Sequence, residues 1–233
     1  MAAYYNEIDA YAAQWLRNLA AAGLIAPGDV DERSIVDVQP DDLIGYTQCH
    51  FFAGIGGWSY AARLAGWPDE RELWTGSCPC QPWSRAGRSE GRDSNHHLWP
   101  IWRELILSKK PPVVMGEQVP TSAGRGWWDE VAEDMEAAGY ACGAIIASAS
   151  GVGAHHDRER LWFVAHAAGE RDRVETGQIP PGRHVIEYSD WWASEPDVGR
   201  VAHGVPARVG KLRAYGNAIV PQVAAEVIAA YLE

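Results

Sequence analysis

Hydrophobic positions along the chain switch between two spacings, and glycine or proline marks most of the switches. Tyr4 to Asp9 reads as a short strand that ends in two acids, Glu7 and Asp9. Tyr11 to Leu24 then carries Trp15, Leu16, Leu19 and Ala20 at helical spacing, with Gly23 as the stop. Ala26-Pro27-Gly28-Asp29 reads as a turn, and Arg33 to Val38 as a second strand. A third strand, Thr47 to Phe52, runs straight into Ala53-Gly54-Ile55-Gly56-Gly57, and a helix follows over Trp58 to Gly66. Glu72-Leu73-Trp74 is strand-like and leads to Thr75-Gly76-Ser77-Cys78-Pro79-Cys80.

Farther along, Leu98 to Ser108 is amphipathic and is stopped by Pro111-Pro112. Val113-Val114-Met115 is a buried-strand run ending at Gly116-Glu117-Gln118-Val119. A helix is expected from about Gly126 to Ala138, a strand over Ala141 to Ala147, a polar loop over Gly151 to Arg160 and a strand over Leu161 to Ala165. Periodicity fails from Ala167 to Pro206, which reads as a small irregular insert. It returns at Ala214 to Pro221, and a final helix runs to Leu232. Strands alternating with helices predict an α/β fold, a doubly wound and mostly parallel sheet with helices on both faces.

Composition narrows the class. A chain of 233 residues can bury a real core, and its 24 glycines fit many connections. The four cysteines, Cys49, Cys78, Cys80 and Cys142, are too few and too scattered for a disulfide framework, and no signal-like stretch precedes them. No apolar run approaches the ~20 residues a membrane-spanning helix needs. A cytoplasmic enzyme without a membrane partner is expected. The net charge of −11 argues against a generic nucleic-acid binder, but the charge is unevenly placed. Residues 1–48 hold eight acids against Arg17 and Arg33, whereas Gly199 to Arg213 holds Arg200, Arg208, Lys211 and Arg213 with no acid. A local basic face on an acidic body is therefore expected.

Taken singly, the chemically suggestive residues have two readings each. Cys80, at the end of a buried strand and flanked by proline and glycine, is either a presented thiol or a small buried hydrophobe. Glu117 is a site carboxylate, a helix cap or an ion-pair partner. Arg158 and Arg160 are ligand contacts or a solvated face, and Glu7 is a ligand or one more surface acid. The glycine turn brings backbone close to a nucleotide-like ligand, or is merely a tight turn. His96-His97 and His155-His156 lack paired metal-ligand spacing, so no metal is expected.

Together they form an ordered set. Phe52-Ala53-Gly54-Ile55-Gly56-Gly57, Pro79-Cys80-Gln81, Gly116-Glu117-Gln118-Val119, His156-Asp157-Arg158-Glu159-Arg160 and Gly216-Asn217-Ala218-Ile219-Val220-Pro221 resemble the motifs of the DNA (cytosine-5) methyltransferases, in a compact form of phage or bacterial type. The resemblance covers nearly all the chain except the insert. It implies a Rossmann-like S-adenosylmethionine-dependent methyltransferase fold, S-adenosylmethionine as methyl donor and double-stranded DNA as substrate. It further implies that Cys80 adds to carbon 6 of a flipped-out cytosine. Glu117 would meet N3 and the exocyclic amine, Arg160 would hold O2, and Arg158 would support it or reach phosphate. The backbone of Phe52, Ala53, Gly54, Ile55, Gly56 and Gly57, with Pro79, Asn217 and Ala218, would line the cofactor cleft.

The order of parts departs from the family's pattern. Only Trp67 to Thr75 separates the glycine-turn helix from the cysteine loop, too short for the two strands and helix expected there. The missing parts look displaced upstream: Asn6-Glu7-Ile8-Asp9 resembles the ribose-binding motif, and Asp31-Glu32-Arg33-Ser34-Ile35 the adenine-binding one. A circularly permuted order is therefore expected, with Glu7 and Ile8 at the ribose and Asp31, Ser34 and Ile35 at the adenine. His156 stands where the arginine motif normally has Gln.

Two domains follow from the same comparison. Residues 1–166 and 207–233 would form the catalytic domain, and 167–206 a minimal target-recognition region. So small a reader implies a short target site. Gln81, Ser84, Arg85 and Arg88, and in the insert Arg183 and Arg200, would contact DNA; Trp191 and Trp192 would stack on it or form the insert's own core. A monomer is expected, and protection of phage or mobile-element DNA, as in restriction-modification, is the role family habit suggests. Two alternatives stay open: cytosine-5 methylation of RNA, since Cys78 and Cys80 are neighbouring thiols and the reader is tiny, and a catalytically silent homologue that binds DNA or a partner.

Overall fold

A computed structural model of the chain describes residues 2–79, 98–167 and 217–233. Among these residues one sheet carries the fold. Its strands are β1 (Ala2–Asn6), β2 (Gly28–Asp31), β3 (Tyr46–Phe51), β4 (Leu73–Gly76), β5 (Val113–Gln118), β6 (Tyr140–Ser148) and β7 (Glu159–Ala167), in the spatial order β2-β1-β3-β4-β5-β7-β6. The first five are mutually parallel; β7 runs antiparallel to both β5 and β6. Five helices accompany them: α1 (Ala10–Ala21), α2 (Gly57–Leu64), α3 (Trp99–Lys109), α4 (Ser122–Ala137) and α5 (Pro221–Leu232).

Period-two alternation in the strands feeds two faces of the sheet. In β5, Val114 joins one core with Trp102 of α3 and Trp127 of α4, while Val113 and Met115 join another with Trp58 of α2 and Val223 of α5. β7 repeats this: Leu161, Phe163 and Ala165 face the first core and Trp162 the second. Toward the other edge, Ala3 and Tyr5 of β1 pack with Leu16 of α1 and with Ile25 and Ala53 in a third cluster. Helices on both faces of a largely parallel sheet are what the periodicity predicted, and the reversed β7 is its one exception in direction.

Numbered from the glycine-turn strand β3, the parallel part of the sheet reads 3-2-1-4-5, the doubly wound order. In this chain the second and third positions are filled by β1 and β2, which precede β3 in sequence. The upstream displacement expected from the short segment between Trp67 and Thr75 is thus visible as topology. The order reverses between β3 and β4, and that switch point is where such sheets open a crevice at their carboxyl ends.

Four boundaries differ from expectation. The second strand is Gly28–Asp31, overlapping the expected turn Ala26–Asp29, while Ile35–Asp37, inside the expected strand Arg33–Val38, is a short 3-10 turn. Ile35 and Val38 are both buried there and Val36 is exposed, so the apolar run packs by one side of a turn. β5 continues through Glu117 and Gln118 because β7 pairs them with Trp162 and Leu161. β7 in turn begins at Glu159, which puts Arg160 in the strand. Helix α4 starts at Ser122, earlier than expected, with the Thr121 hydroxyl accepting from the Gly124 amide.

Candidate active site

A cleft of about 490 Å3 lies at the carboxyl ends of the parallel strands, within the ~300–1,000 Å3 usual for small-ligand sites. The lining comes from the ends of β1, β5 and β7 and from the segments just beyond β1, β2, β3 and β4. From the end of β1 and the start of α1 come Asn6, Glu7, Ile8, Asp9 and Ala12; from beyond β2, Ser34 and Ile35; from beyond β3, Phe52 and Gly54. The turn after β4 adds Ser77, Cys78 and Pro79. Leu98, then Glu117, Gln118 and Val119 of the β5 end, Arg158 and Arg160 at the start of β7, and Asn217 complete the lining.

One wall is built on Glu7. Its Oε1 accepts from the Asp9 amide at 2.8 Å and its Oε2 from the Gly54 amide at 2.7 Å. A carboxylate offers about four acceptor positions, so both oxygens retain capacity toward the cleft. Gly54 sits at φ 55° and the preceding Phe52 at φ 51°. For a non-glycine residue that left-handed conformation costs on the order of 1–3 kcal/mol. The Ala53 amide, donating to the Asn6 carbonyl at 3.0 Å, helps to hold it. Asn6 also donates from Nδ2 to the Arg33 carbonyl at 2.9 Å, tying the segment after β2 to this wall. Ile8 is 66% exposed and presents an apolar surface to the cleft.

The remaining residues expected on this side serve elsewhere. Ala53 is buried in the β1–α1 core, and Gly56, at φ 86°, caps α2. A Cβ on Gly57 would stand 2.6 Å from the Ile219 side chain, so this glycine allows α2 to meet the segment before α5. Ile55 is half-buried and does not line the cleft. Asp31 also lies off the cleft, in a surface hollow with Tyr4 and Arg33. Arg33 grips both of its carboxylate oxygens, and Tyr4 Oη donates to it at 2.7 Å. Burial alone would push the Asp31 carboxyl up, but the hydrogen bonds from Arg33 and Tyr4 outweigh that and hold it at about 2. Of the expected adenine-side residues, Ser34 and Ile35 face the cleft and Asp31 does not.

The opposite wall is built on Glu117. Arg160 Nε approaches its Oε1 at 2.7 Å, and Ser77, which follows the glycine paired with Gly116 across β4 and β5, lines the cleft beside it. Burial pushes the Glu117 carboxyl upward, and the charges of Arg160 and Arg158 together with the Ser77 hydroxyl oppose the shift without cancelling it. Arg158 donates from Nη2 to the Ala218 carbonyl at 3.0 Å, so Ala218 supports the arginine rather than lining the cleft. Burial and the neighbouring Arg160 push the Arg158 guanidinium down. Cys78 is buried in the core and also lines the cleft.

Cys80, Gln81, Ser84, Arg85, Arg88, Arg183 and Arg200 lie outside the described residues. So does the target-recognition region beyond Ala167. Among the described residues, no group of three or more His, Cys, Asp or Glu is arranged to hold a metal ion. No helix among them is long and apolar enough to cross a membrane.

Sequence reasoning missed three site residues. Gln118 donates from Nε2 to the Cys78 carbonyl at 3.2 Å and accepts the Val119 amide on Oε1, locking the β4 turn against the β5 end. Asn6 and Ser77 likewise tie separate segments together, Asn6 through the Arg33 carbonyl beyond β2 and Ser77 through the indole of Trp58 in α2. The available signal was position: each directly precedes or follows a residue already singled out or ends a buried strand.

The profile of the C-5 cytosine-specific DNA methylase family matches residues 66–190, a range that holds Cys80, Glu117, Arg158 and Arg160 but not the glycine turn. No protein of curated function matches the chain. Similar solved structures include a Spodoptera frugiperda DNMT2 mutant, 13% identical over 71% of this chain and 42% of that one, with a TM-score of 0.47. Another is the Entamoeba histolytica methyltransferase EhMeth, at 15% identity over 70% and 44%, TM-score 0.44. A third is a putative DNA modification methyltransferase encoded within an E. coli prophage, at 14% over 72% and 47%, TM-score 0.43. The chain thus spans less than half the length of these three structures. Cytosine-5 methyltransferases of this fold take their methyl group from S-adenosylmethionine. With the family profile running over more than half of its 233 residues, this chain belongs to the C-5 cytosine-specific DNA methylase family.

Proposed function

We propose that this protein transfers a methyl group to carbon 5 of cytosine in double-stranded DNA, through a covalent adduct on Cys80 with the base flipped out of the helix. The observation that carries the reading is the pairing of two walls in one cleft. The backbone and Glu7 stand on one side, and a buried, arginine-held Glu117 on the other.

S-adenosylmethionine supplies an electrophilic methyl carbon when bound, and the residues present suit it. Glu7 keeps acceptor capacity for a ribose diol, Gly54 allows close backbone approach, and Ile8 offers an apolar face to a purine. Ser34 and Ile35 would take the adenine edge, while Asp31, held by Arg33 and Tyr4, would act through the shape of that segment.

Carbon 5 of cytosine is a weak nucleophile. Addition of the Cys80 thiolate to carbon 6 forms a carbon–sulfur bond and moves the ring π pair toward carbon 5. Carbon 5 would take the methyl carbon as the donor's sulfur–methyl bond breaks and its electron pair stays on sulfur, leaving a neutral thioether. Loss of the proton at carbon 5 to solvent water would restore the ring double bond and expel the thiolate. Glu117, whose carboxyl is biased toward its neutral form by burial, would hydrogen-bond N3 and the exocyclic amine as the thiolate adds. Arg160 fixes Glu117 and would turn its remaining N–H groups to O2, and Arg158 would support it or reach phosphate. Residues 1–166 and 207–233 form the catalytic domain in this reading, and 167–206 the target reader. Gln81, Ser84, Arg85, Arg88, Arg183 and Arg200 would meet DNA. A reader so short fits a short target site and a monomer acting on phage or mobile-element DNA.

The test is methyl transfer from labelled S-adenosylmethionine to duplex DNA and to RNA, with wild type and Cys80→Ser. Label in DNA with wild type and none with Cys80→Ser is expected. Label in RNA alone, or in neither, would overturn the reading.

A further inference from the structure

The β4 and β5 strands run side by side with Gly76 opposite Gly116, so the next residues, Ser77 and Glu117, emerge together into the cleft. Ser77 is anchored on its other side. Trp58 Nε1 stands 3.1 Å from Ser77 Oγ. An indole N–H can only donate, so Ser77 Oγ accepts from Trp58 and keeps its own proton for an acceptor beside it, and Glu117 is the side chain that emerges next to it. Trp58 is a firm anchor: it is buried and packs edge-to-face on Trp162, with ring centroids 5.5 Å apart. Trp162 is in turn the residue paired with Glu117 across β5 and β7. The carboxylate thereby lies between Arg160, which takes Oε1, and a hydroxyl whose rotor the indole has already set.

We propose that Ser77, held by Trp58, is a positioning residue for Glu117, fixing the direction in which its carboxyl group faces the base. This rests on the reading of Glu117 as the group that meets the cytosine ring. A second consequence follows from the same contact. A hydroxyl donating to a carboxylate favours the ionised form, so Ser77 restrains the upward push that burial exerts on Glu117. Ser77 thus sets both the aim of the carboxyl and the pH at which it takes up a proton.

The experiment compares the full-length wild type with Ser77→Ala and Ser77→Thr by two readouts. One is a carbon-13 carboxyl titration of Glu117, assigned with Glu117→Gln; the other is the pH profile of methyl transfer. For Ser77→Ala the Glu117 midpoint is expected to rise by about one pH unit, the size of one hydrogen bond to a charged group. The alkaline limb of kcat/KM should move with it, and kcat should fall about tenfold with little change in the KM for DNA. Ser77→Thr keeps the hydroxyl and should restore both. An unmoved midpoint in Ser77→Ala, or a Thr variant that behaves like Ala, would overturn the proposal. Absence of methyl transfer in wild type would instead sink the proposed function, and the carboxyl titration would still decide the placement of Ser77.

Discussion

Two glutamates face one cleft and are held in opposite ways. Glu7, past the end of β1, is bound by two main-chain amides, those of Asp9 and Gly54, which are fixed by the helix start and the glycine turn. Glu117, inside β5, is met by side chains, Arg160 bonded to it and Ser77 beside it, and is nearly sealed from solvent. Backbone donors cannot be swung aside, so they suit a carboxylate that is to be held still. Side-chain donors around a buried acid leave its proton affinity adjustable, which suits a group that must change its protonation during a reaction. The cleft thus joins a fixed wall to a tunable one.

Substitution at the tunable wall should have the largest effect. Glu117→Gln should lower kcat for methyl transfer by about 10²–10⁴-fold, the usual worth of a positioned acid or base, while cofactor affinity by calorimetry stays within about twofold. An equal loss of cofactor affinity would erase the distinction between the walls. The same variant reads a stability effect with a definite sign. Because burial raises the Glu117 carboxyl above its ordinary range, the folded state binds the proton more tightly than the unfolded one. Stability from this group is therefore present at low pH and is lost as pH rises from the ordinary glutamate range through the raised value. Denaturation profiles of wild type should carry that decline, and Glu117→Gln should flatten it.

The mirror experiment acts on the fixed wall. Glu7→Ala should weaken S-adenosylmethionine binding by about 10–100-fold through loss of charged hydrogen bonds, with methyl transfer at saturating cofactor changed far less. Unchanged cofactor affinity would remove Glu7 from the ribose role. A steric probe comes next. A Cβ on Gly116 would lie 2.2 Å from the Phe163 ring and 2.8 Å from the Gly76 carbonyl, directly beneath Glu117. Gly116→Ala should therefore destabilise the fold by about 1–3 kcal/mol in chemical denaturation, and a neutral result would show that the β4–β5–β7 packing yields easily.

The smallest effect is expected at Asp31, beside the fixed wall but not in it. Asp31→Asn should leave cofactor affinity within about twofold, since Ser34 and Ile35 carry that face. Its signature is in acid. With a folded value of about 2 against an ordinary carboxylate, Asp31 stabilises the protein fully above about pH 4, and the contribution is lost as pH falls toward 2. Acid-unfolding midpoints of wild type and Asp31→Asn should converge below that window.

Much of the fold was legible because it is written in short-range pattern. Val113-Val114-Met115 and Leu161-Trp162-Phe163-Val164-Ala165 alternate between the two cores as their spacing requires, and the glycine turn sits at the switch point. The permuted order was legible from the short segment Trp67 to Thr75 ahead of the cysteine loop, taken with the two motif-like segments upstream, Asn6 to Asp9 and Asp31 to Ile35. What stayed hidden depends on partners far away in sequence. β2 is Gly-Asp-Val-Asp, poor strand material, and it exists because β1 offers its backbone; a Cβ on Gly28 would stand 1.9 Å from the Ala3 carbonyl. Glu117 and Gln118 look like loop residues until β7 arrives to pair them. Gln118 bonds to Cys78, forty positions back, and Trp58 to Ser77, nineteen positions ahead, so no local window shows either bond.

The permuted strand order also changes when, along the chain, the cleft comes into being. With β1 and β2 ahead of β3, every element of the fixed wall, from Ala2 through the end of α2 at Leu64, is one uninterrupted stretch, including the Tyr5–Ser59 and Glu7–Gly54 contacts. A ribosome adding about 5–20 residues per second exposes that stretch seconds before β5 and β7 exist. The cofactor-facing half is therefore set to assemble first and to serve as the edge onto which β4 and the tunable wall are laid; here its glycine-turn strand is made last of the three, so the chain passes from β3 through α2 directly to the neighbouring strand β4.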